Sequence, residues 1–210
     1  MIDLKIYNVS PLSTNCYLLT DKDTGEMAVV DPGGKNEQLI EYITDNGNKL
    51  KYVLLTHGHY DHIGYAKQMS DIFGAEILCS KNANVFLSDN MLNHSMYHDD
   101  IEVIKPFSAD VILKDNDVIK LGNTEITFIE TPGHTNGCGC FLFDDIMISG
   151  DTLFCESFGR TDLPTGSLSK LFTTFRRLNA IDKDYVVYPG HGISTTLSHE
   201  KKYNPLMSRL

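Results

Sequence analysis

Four times along this chain an apolar, strand-length run stops short and a histidine or aspartate follows within a few residues. Residues 52–56 (Tyr-Val-Leu-Leu-Thr) run into His57-Gly58-His59-Tyr60-Asp61-His62. Residues 124–131 lead through the turn Pro132-Gly133 to His134. Ile146-Met147-Ile148 leads through Ser149-Gly150 to Asp151, and residues 185–188 lead through Pro189-Gly190 to His191. Side chains placed at strand ends converge on one sheet edge, and strands hold them more rigidly than free loops do. The repetition therefore asks for layers in which several strands finish on the same side.

The rest of the chain fits such layers. Residues 2–8, 15–20 and 26–30 are short apolar runs bounded by turn residues, as strands are. Residues 36–46 place Leu39, Ile40 and Ile43 on one helical face, and the stretch 111–143 again reads as strands. Leu168, Leu171, Phe172, Phe175 and Leu178 follow the i, i+3, i+4, i+7 spacing of an amphipathic helix whose apolar stripe packs on a core. Strands mixed with helices point to α/β layers around a sheet sandwich.

Composition limits what such a chain does. A length of 210 residues is that of one domain, expected to span 1–210, with a core that needs no staples. The net charge of −10, from 18 basic and 28 acidic side chains, repels a phosphate backbone and argues against a nucleic-acid partner. No apolar run reaches the roughly 20 residues that span a bilayer, and the start Met-Ile-Asp-Leu-Lys is no signal peptide. Five cysteines without paired spacing fit a reducing compartment. A cytoplasmic protein with no membrane association and no obligate protein partner is the expectation.

Eight histidines are present, and five of them stand in the strand-end motifs. His57 and His59 alternate, so both face one side of an extended turn, while Asp61 and His62 open the next helix and face a second position. With His134, Asp151 and His191 the set comprises seven imidazole and carboxylate groups. Seven exceed what one tetrahedral ion takes and suit two divalent ions sharing a carboxylate. Such ligands favour zinc, with iron or manganese as alternatives, over calcium or magnesium. The remaining candidates read more plainly. His199 is a surface or satisfied histidine, and His94 and His98 are surface positions in a polar stretch, 88–100, that borders the site. Cys138, Cys140 and Cys155 are packing residues. Asp31, in Val30-Asp31-Pro32-Gly33-Gly34, is either a turn former or a group that orients one of the imidazoles.

His57-x-His59-x-Asp61-His62, Thr131-Pro132-Gly133-His134-Thr135, Ser149-Gly150-Asp151-Thr152 and Pro189-Gly190-His191-Gly192 together resemble the metallo-β-lactamase-fold hydrolases, nearly end to end and in order. Phe158-Gly159-Arg160-Thr161-Asp162 and Glu200-Lys201-Lys202-Tyr203-Asn204-Pro205 resemble the glyoxalase II-like branch and its single-domain bacterial relatives. The resemblance implies an αββα four-layer sandwich with a dinuclear site at one edge. It implies His57, His59 and His134 around a first metal, Asp61, His62 and His191 around a second, Asp151 bridging, and a metal-bridging hydroxide as nucleophile. The activity implied is hydrolysis of a small-molecule thioester such as an S-(2-hydroxyacyl) thiol, with Asp61 also placed to accept a hydrogen bond from the nucleophile. Only residues 192–210 follow the last ligand, so the helical domain that binds glutathione is expected to be missing and the thiol carrier is open. A mononuclear-iron persulfide dioxygenase and a lactonase share these patterns and stand as alternatives.

Overall fold

The computed structural model describes residues 1–9, 11–98 and 103–210. Among them are two six-stranded mixed sheets. The first runs in sequence order: β1 (Ile2–Val9), β2 (Thr14–Asp21), β3 (Met27–Val30), β4 (Leu50–Leu54), β5 (Glu76–Ser80) and β6 (Val111–Leu113). Its first three strands form an antiparallel meander, and β3 to β6 are parallel. Parallel neighbours need crossovers. These carry α1 (Glu37–Asp45) between β3 and β4, α2 (Tyr60–Ile63) and α3 (Ala66–Phe73) between β4 and β5, and α4 (Lys81–Phe86) after β5.

The second sheet holds β7 (Val118–Leu121), β8 (Thr124–Glu130), β9 (Gly139–Phe143), β10 (Ile146–Gly150), β11 (Val186–Pro189) and β12 (Thr195–Thr196), again neighbour by neighbour in chain order. Only β10 and β11 are parallel, joined by the crossover that contains α5 (Leu168–Asn179). The chain then turns through β12 into α6 (Leu197–Tyr203).

Three separate apolar clusters show how the layers stack. The central cluster takes Tyr17, Leu19, Val30 and Leu54 from the first sheet and Ile126, Phe128, Phe141 and Ile148 from the second. An outer cluster packs Leu18, Val29, Val53 and Ile77 against Leu39 and Ile43 of α1 and Met69 of α3. Its counterpart packs Cys140, Leu142, Met147 and Val187 against Leu171, Phe175 and Leu178 of α5. The period-2 alternation of strand side chains does this directly. In β9, Phe141 and Phe143 face the other sheet while Cys140 and Leu142 face α5. The order is therefore helix, sheet, sheet, helix: the αββα sandwich.

Local signals set the helix ends. Asn36 caps α1, its side chain accepting from the Leu39 N–H, and Ser167 caps α5 by accepting from Lys170. The α5 stripe is core at Leu171, Phe175 and Leu178 and partly buried at Phe172, but Leu168 is exposed. Among the described residues no helix is long and apolar enough to cross a membrane.

Candidate metal centre

The parallel strands of the first sheet and strands β8, β10 and β11 of the second finish on one edge of the sandwich. Two backbone hydrogen bonds, with side-chain bonds from Asn15 and Tyr17 to the Pro189 carbonyl, tie the sheets together there. The Gly139 N–H donates to the Thr56 carbonyl at 2.8 Å, and the Asn15 N–H donates to the Gly190 carbonyl at 2.7 Å. The loops that leave this edge carry the seven residues of the strand-end motifs, and the structure brings all seven together.

They form two groups. His57, His59 and His134 offer ligand-type atoms within 4.8 Å of one another, and so do Asp61, His62 and His191. In the first group His59 Nδ1 lies 2.9 Å from His134 Nε2. In the second, Asp61 Oδ2 lies 3.3 Å from His62 Nε2 and 3.2 Å from His191 Nε2. Asp151 reaches both: Oδ1 is 3.3 Å from His62 Nε2, while Oδ2 is 3.5 Å from His134 Nε2 and 3.7 Å from His191 Nε2.

The backbone geometry that permits this is exacting at two glycines. A Cβ on Gly33 would sit 1.4 Å from the Asp61 carbonyl oxygen, so the α2 turn packs directly on the 31–34 turn only because no side chain intervenes. A Cβ on Gly190 would sit 2.3 Å from Asp151 Oδ1 and 2.7 Å from His62 Cε1.

The imidazoles are oriented by partners on the nitrogens that face away from the cluster. Asp31 follows β3 with a left-handed backbone (φ 51°) and a buried carboxylate. That carboxylate accepts from the Thr56 N–H (2.8 Å), the Thr56 hydroxyl (2.6 Å) and His62 Nδ1–H (2.9 Å). The Thr56 hydroxyl spends its proton on Asp31, so toward His57 it is an acceptor, for Nδ1–H at 3.1 Å. His134 Nδ1–H donates to the Arg160 carbonyl at 2.7 Å. These bonds assign the tautomers that leave Nε2 of His57, His62 and His134 free to bind a cation. The Thr14 hydroxyl donates to Asp61 Oδ2 at 3.0 Å.

Charge is divided unevenly over the cluster. Burial holds His57 well below the ordinary imidazole range, with His62 and His59 adding to it, and burial with His134 pushes His59 down to about 3. Burial acts the same way on His62, yet the carboxylates of Asp61, Asp151 and Asp31 together outweigh it and hold that imidazole well above its usual value. His191 is also raised: burial is outweighed by the bond to Asp61 and the charge of Asp151. Burial alone would raise Asp61 and Asp151, but His62 and the other imidazoles hold both below the normal carboxylate range.

These residues fit cations. Nε2 of His57, Nε2 of His62 and Oδ1 of Asp151 are buried without a hydrogen-bond partner among the described residues. A buried unsatisfied polar atom costs about 1–3 kcal/mol, and here such atoms converge as imidazole lone pairs and carboxylate oxygens, the donor set of zinc and other transition metals.

Not every sequence expectation for the neighbourhood holds. His94, expected at the surface of a stretch bordering the site, does border it but is not fully exposed. It is half-buried with a left-handed backbone (φ 68°), and its ring stands edge-on to that of His59, centroids 5.6 Å apart. His98 packs on the Tyr60 ring at 4.5 Å. The last two residues of the 88–100 stretch lie outside the described residues. Cys138 and Cys140 are buried, as expected for packing residues; Cys155 is half-buried. His199 meets Glu156 at 3.0 Å. Lys201 is tied to the Ile181 carbonyl, and Lys202 Nζ lies over the Tyr203 ring at 4.9 Å. Thr14, Thr56 and the Arg160 carbonyl were not singled out by sequence. Thr56 adjoins His57 and was within reach of a search for outer partners; Thr14, 47 residues from Asp61, carries no signal.

A two-sheet sandwich with a buried histidine–aspartate cluster of dinuclear type at its strand-end edge is the architecture of a metal-dependent hydrolase. The chain belongs to the metallo-beta-lactamase superfamily, whose family model matches residues 9–191. It is 33% identical to the hydroxyacylglutathione hydrolase GloC of Haemophilus influenzae over 211 aligned positions, covering 99% of each protein. Among solved structures, the BLEG-1 B3 metallo-beta-lactamase superposes with a TM-score of 0.89 at 30% identity, covering 98% of this chain and all of that one. TTHA1623 in a di-iron-bound form superposes with a TM-score of 0.82 at 27% identity, covering 96% and 98%.

Proposed function

We propose that this protein hydrolyses a small-molecule thioester, an S-(2-hydroxyacyl) thiol being the first candidate. The observation that carries the reading is the position of Asp151, with one carboxylate oxygen at His62 and the other at His134 and His191. In this reading His57, His59 and His134 hold one divalent ion, Asp61, His62 and His191 hold another, and Asp151 serves both. Zinc is the first choice for both positions, with iron, which TTHA1623 holds as a pair, and manganese as alternatives. The thioester class is supported by the end-to-end match to GloC, a hydroxyacylglutathione hydrolase by name.

A pair of divalent ions held by these residues would supply Lewis acidity and would lower the pKa of a bound water from about 16 toward 7. The chain's own residues do the rest. Asp61, ionised and steadied by Thr14, accepts a hydrogen bond from the attacking water and fixes its direction. Asp31, through His62 and Thr56, prevents the imidazoles from turning. His57, His59 and His62 are buried, whereas the His191 side chain keeps 27% of its surface, so substrate approaches past His191 and the exposed Ile193. A thiolate leaves without a strong general acid, and none is needed in this arrangement.

The substrate is then a small molecule, with no nucleic acid, membrane or obligate protein partner, and the reaction belongs in the cytoplasm on a single domain spanning 1–210. The test is metal content and turnover of a thioester panel for the wild-type protein and Asp151→Ala. Two metals per chain and hydroxyacyl-thioester turnover, both lost in Asp151→Ala, are expected. Unchanged values in the variant would overturn the reading. One iron per chain with oxygen uptake on a persulfide would replace it by the dioxygenase, and turnover of cyclic esters alone would replace it by the lactonase.

A further inference from the structure

Of the imidazoles around the first metal position, one has no visible means of orientation. His57 uses Nδ1 on Thr56 and His134 uses Nδ1 on Arg160. His59 is turned the other way: Nδ1 faces His134 Nε2 at 2.9 Å, so Nε2 is its outer nitrogen. That Nε2 is buried and has no hydrogen-bond partner among the described residues. A ligating histidine almost always donates its outer N–H, because this fixes the tautomer and raises the basicity of the ligating nitrogen.

A second orphaned nitrogen lies next to it. His94 Nε2 is buried without a partner among the described residues, and so is the hydroxyl of the adjacent Ser95. The His94 and His59 rings are perpendicular within 2° at a centroid distance of 5.6 Å. Two hydrogen bonds of about 2.8 Å let one water join nitrogens up to roughly 5.5 Å apart, a span that nitrogens on the facing edges of rings at this centroid distance would meet. A water is stable where several buried polar groups need it, and Nε2 of His59 and Nε2 of His94 are two such groups on neighbouring rings.

The loop around His94 is built to hold it there. Asn93 is fully buried: its Nδ2 donates to the Phe86 carbonyl (3.0 Å) and its Oδ1 accepts from the Ser95 N–H (2.9 Å). The Tyr60 N–H donates to the Asn93 carbonyl at 2.8 Å, which fastens the loop beside His59 itself. His94 keeps a left-handed backbone in this clamp, a conformation uncommon for a non-glycine residue and found where surroundings impose it.

We propose that His94 is a positioning residue for His59. Its Nε2 accepts, through one bridging water, the hydrogen bond that His59 Nε2–H has to donate. His94 thereby holds His59 Nδ1 toward the first metal position without being a ligand. The inference rests on the assignment of His57, His59 and His134 to one ion, and it is independent of which substrate is hydrolysed.

The test is zinc titration of the metal-free protein against a chromophoric chelator, for wild type, His94→Ala and His94→Gln. Gln places an amide oxygen near the position of Nε2. Loss of an outer partner typically weakens metal affinity by about 10- to 100-fold. One of the two zinc equivalents should weaken by at least about tenfold in His94→Ala and recover at least in part in His94→Gln, with the melting temperature of the metal-free protein unchanged. Wild-type affinity for both equivalents in His94→Ala would overturn the inference while leaving the thioesterase reading intact. So would equal weakening in both variants accompanied by a lower melting temperature, which would mean a role in packing. A wild-type protein that takes up zinc normally but turns over no thioester would sink the substrate reading alone.

Discussion

Asp31→Asn isolates the contribution of one buried carboxylate to the second metal position. In the native arrangement Asp31 Oδ1 accepts from the Thr56 N–H, and Oδ2 accepts from the Thr56 hydroxyl and from His62 Nδ1–H. Asparagine keeps an oxygen for the Thr56 amide but puts an NH2 where Oδ2 stood, so a donor then faces His62 Nδ1. Thr56 adapts by turning its hydroxyl. His62 has to move its proton to Nε2, the nitrogen that lies 3.3 Å from both Asp61 and Asp151 and that a cation needs bare. The expected loss is about 10- to 100-fold in affinity for one of the two metal equivalents, or about 1.4–2.8 kcal/mol. Hydrogen bonds to a charged group contribute about 1.5–3 kcal/mol to stability. At about 2–4 °C per kcal/mol for a chain of this size, the metal-free protein should melt about 3–12 °C lower. Backbone strain does not confuse the result, because asparagine tolerates the left-handed φ of 51° as aspartate does. Chelator-competition titration and thermal unfolding of the metal-free protein read the two effects separately. Two metal equivalents bound within twofold of wild type would refute the claim that Asp31 sets the His62 tautomer.

Three further outcomes follow from the same geometry. Gly190→Ala drives a Cβ against Asp151 Oδ1 and His62 Cε1, so metal affinity should fall by at least about tenfold with little change in melting temperature. Gly33→Ala meets the Asp61 backbone instead and should lower stability as well; identical behaviour of the two variants in titration and melting would contradict this. The second metal position should be the pH-sensitive one. In the metal-free protein the carboxylates of Asp61 and Asp151 hold His62 and His191 above the ordinary imidazole value and favour their protonated forms, whereas burial holds His57 and His59 below it and favours their neutral forms. A metal entering beside His62 and His191 competes with those protons, so its affinity should fall more steeply than that of the first position as pH drops from 8 to 6. Equal pH slopes for both equivalents in titrations at pH 6, 7 and 8 would contradict this. Glu200→Ala should cost about 3 kcal/mol in denaturant unfolding. The buried Glu200 carboxylate accepts from the Glu156 N–H, the Thr195 hydroxyl and Asn204 Nδ2, and those donors would be left without it; a loss under about 0.5 kcal/mol would show that water replaces it freely.

The fold was legible to the extent that periodicity encodes layers. Residues 2–8, 15–20, 26–30 and 36–46 correspond to β1, β2, β3 and α1 within a residue or two, because in each case a cap or turn residue marks the end and a core face marks the middle. For α1, Asn36 marks the end as an oxygen acceptor, and Leu39 and Ile43 mark the core face. The stripe of α5 extended one position too far at Leu168, since spacing along a helix does not tell where the sheet beneath it stops. The order in which strands pair is a different matter. That β10 lies beside β11 in parallel, with a helix between them in the chain, depends on which face α5 covers, and no local pattern states that.

The site divides along the same line. Its seven metal-facing side chains were legible because each is written next to the strand that aims it. Of the groups that orient them, Asp31 was legible as a candidate but its target, His62, was not, while Thr14 and the Arg160 carbonyl reach Asp61 and His134 from across the fold and carry no local signal. Asp31 looked like a turn residue and is one, with the left-handed backbone of a turn; the same conformation swings its carboxylate beneath Thr56 and His62. His94 looked like surface for a related reason. A polar stretch with no periodicity signals a loop, and whether a loop lies on solvent or folds back over a metal position is decided by one clamp, here buried Asn93, whose partners are Phe86 and Ser95.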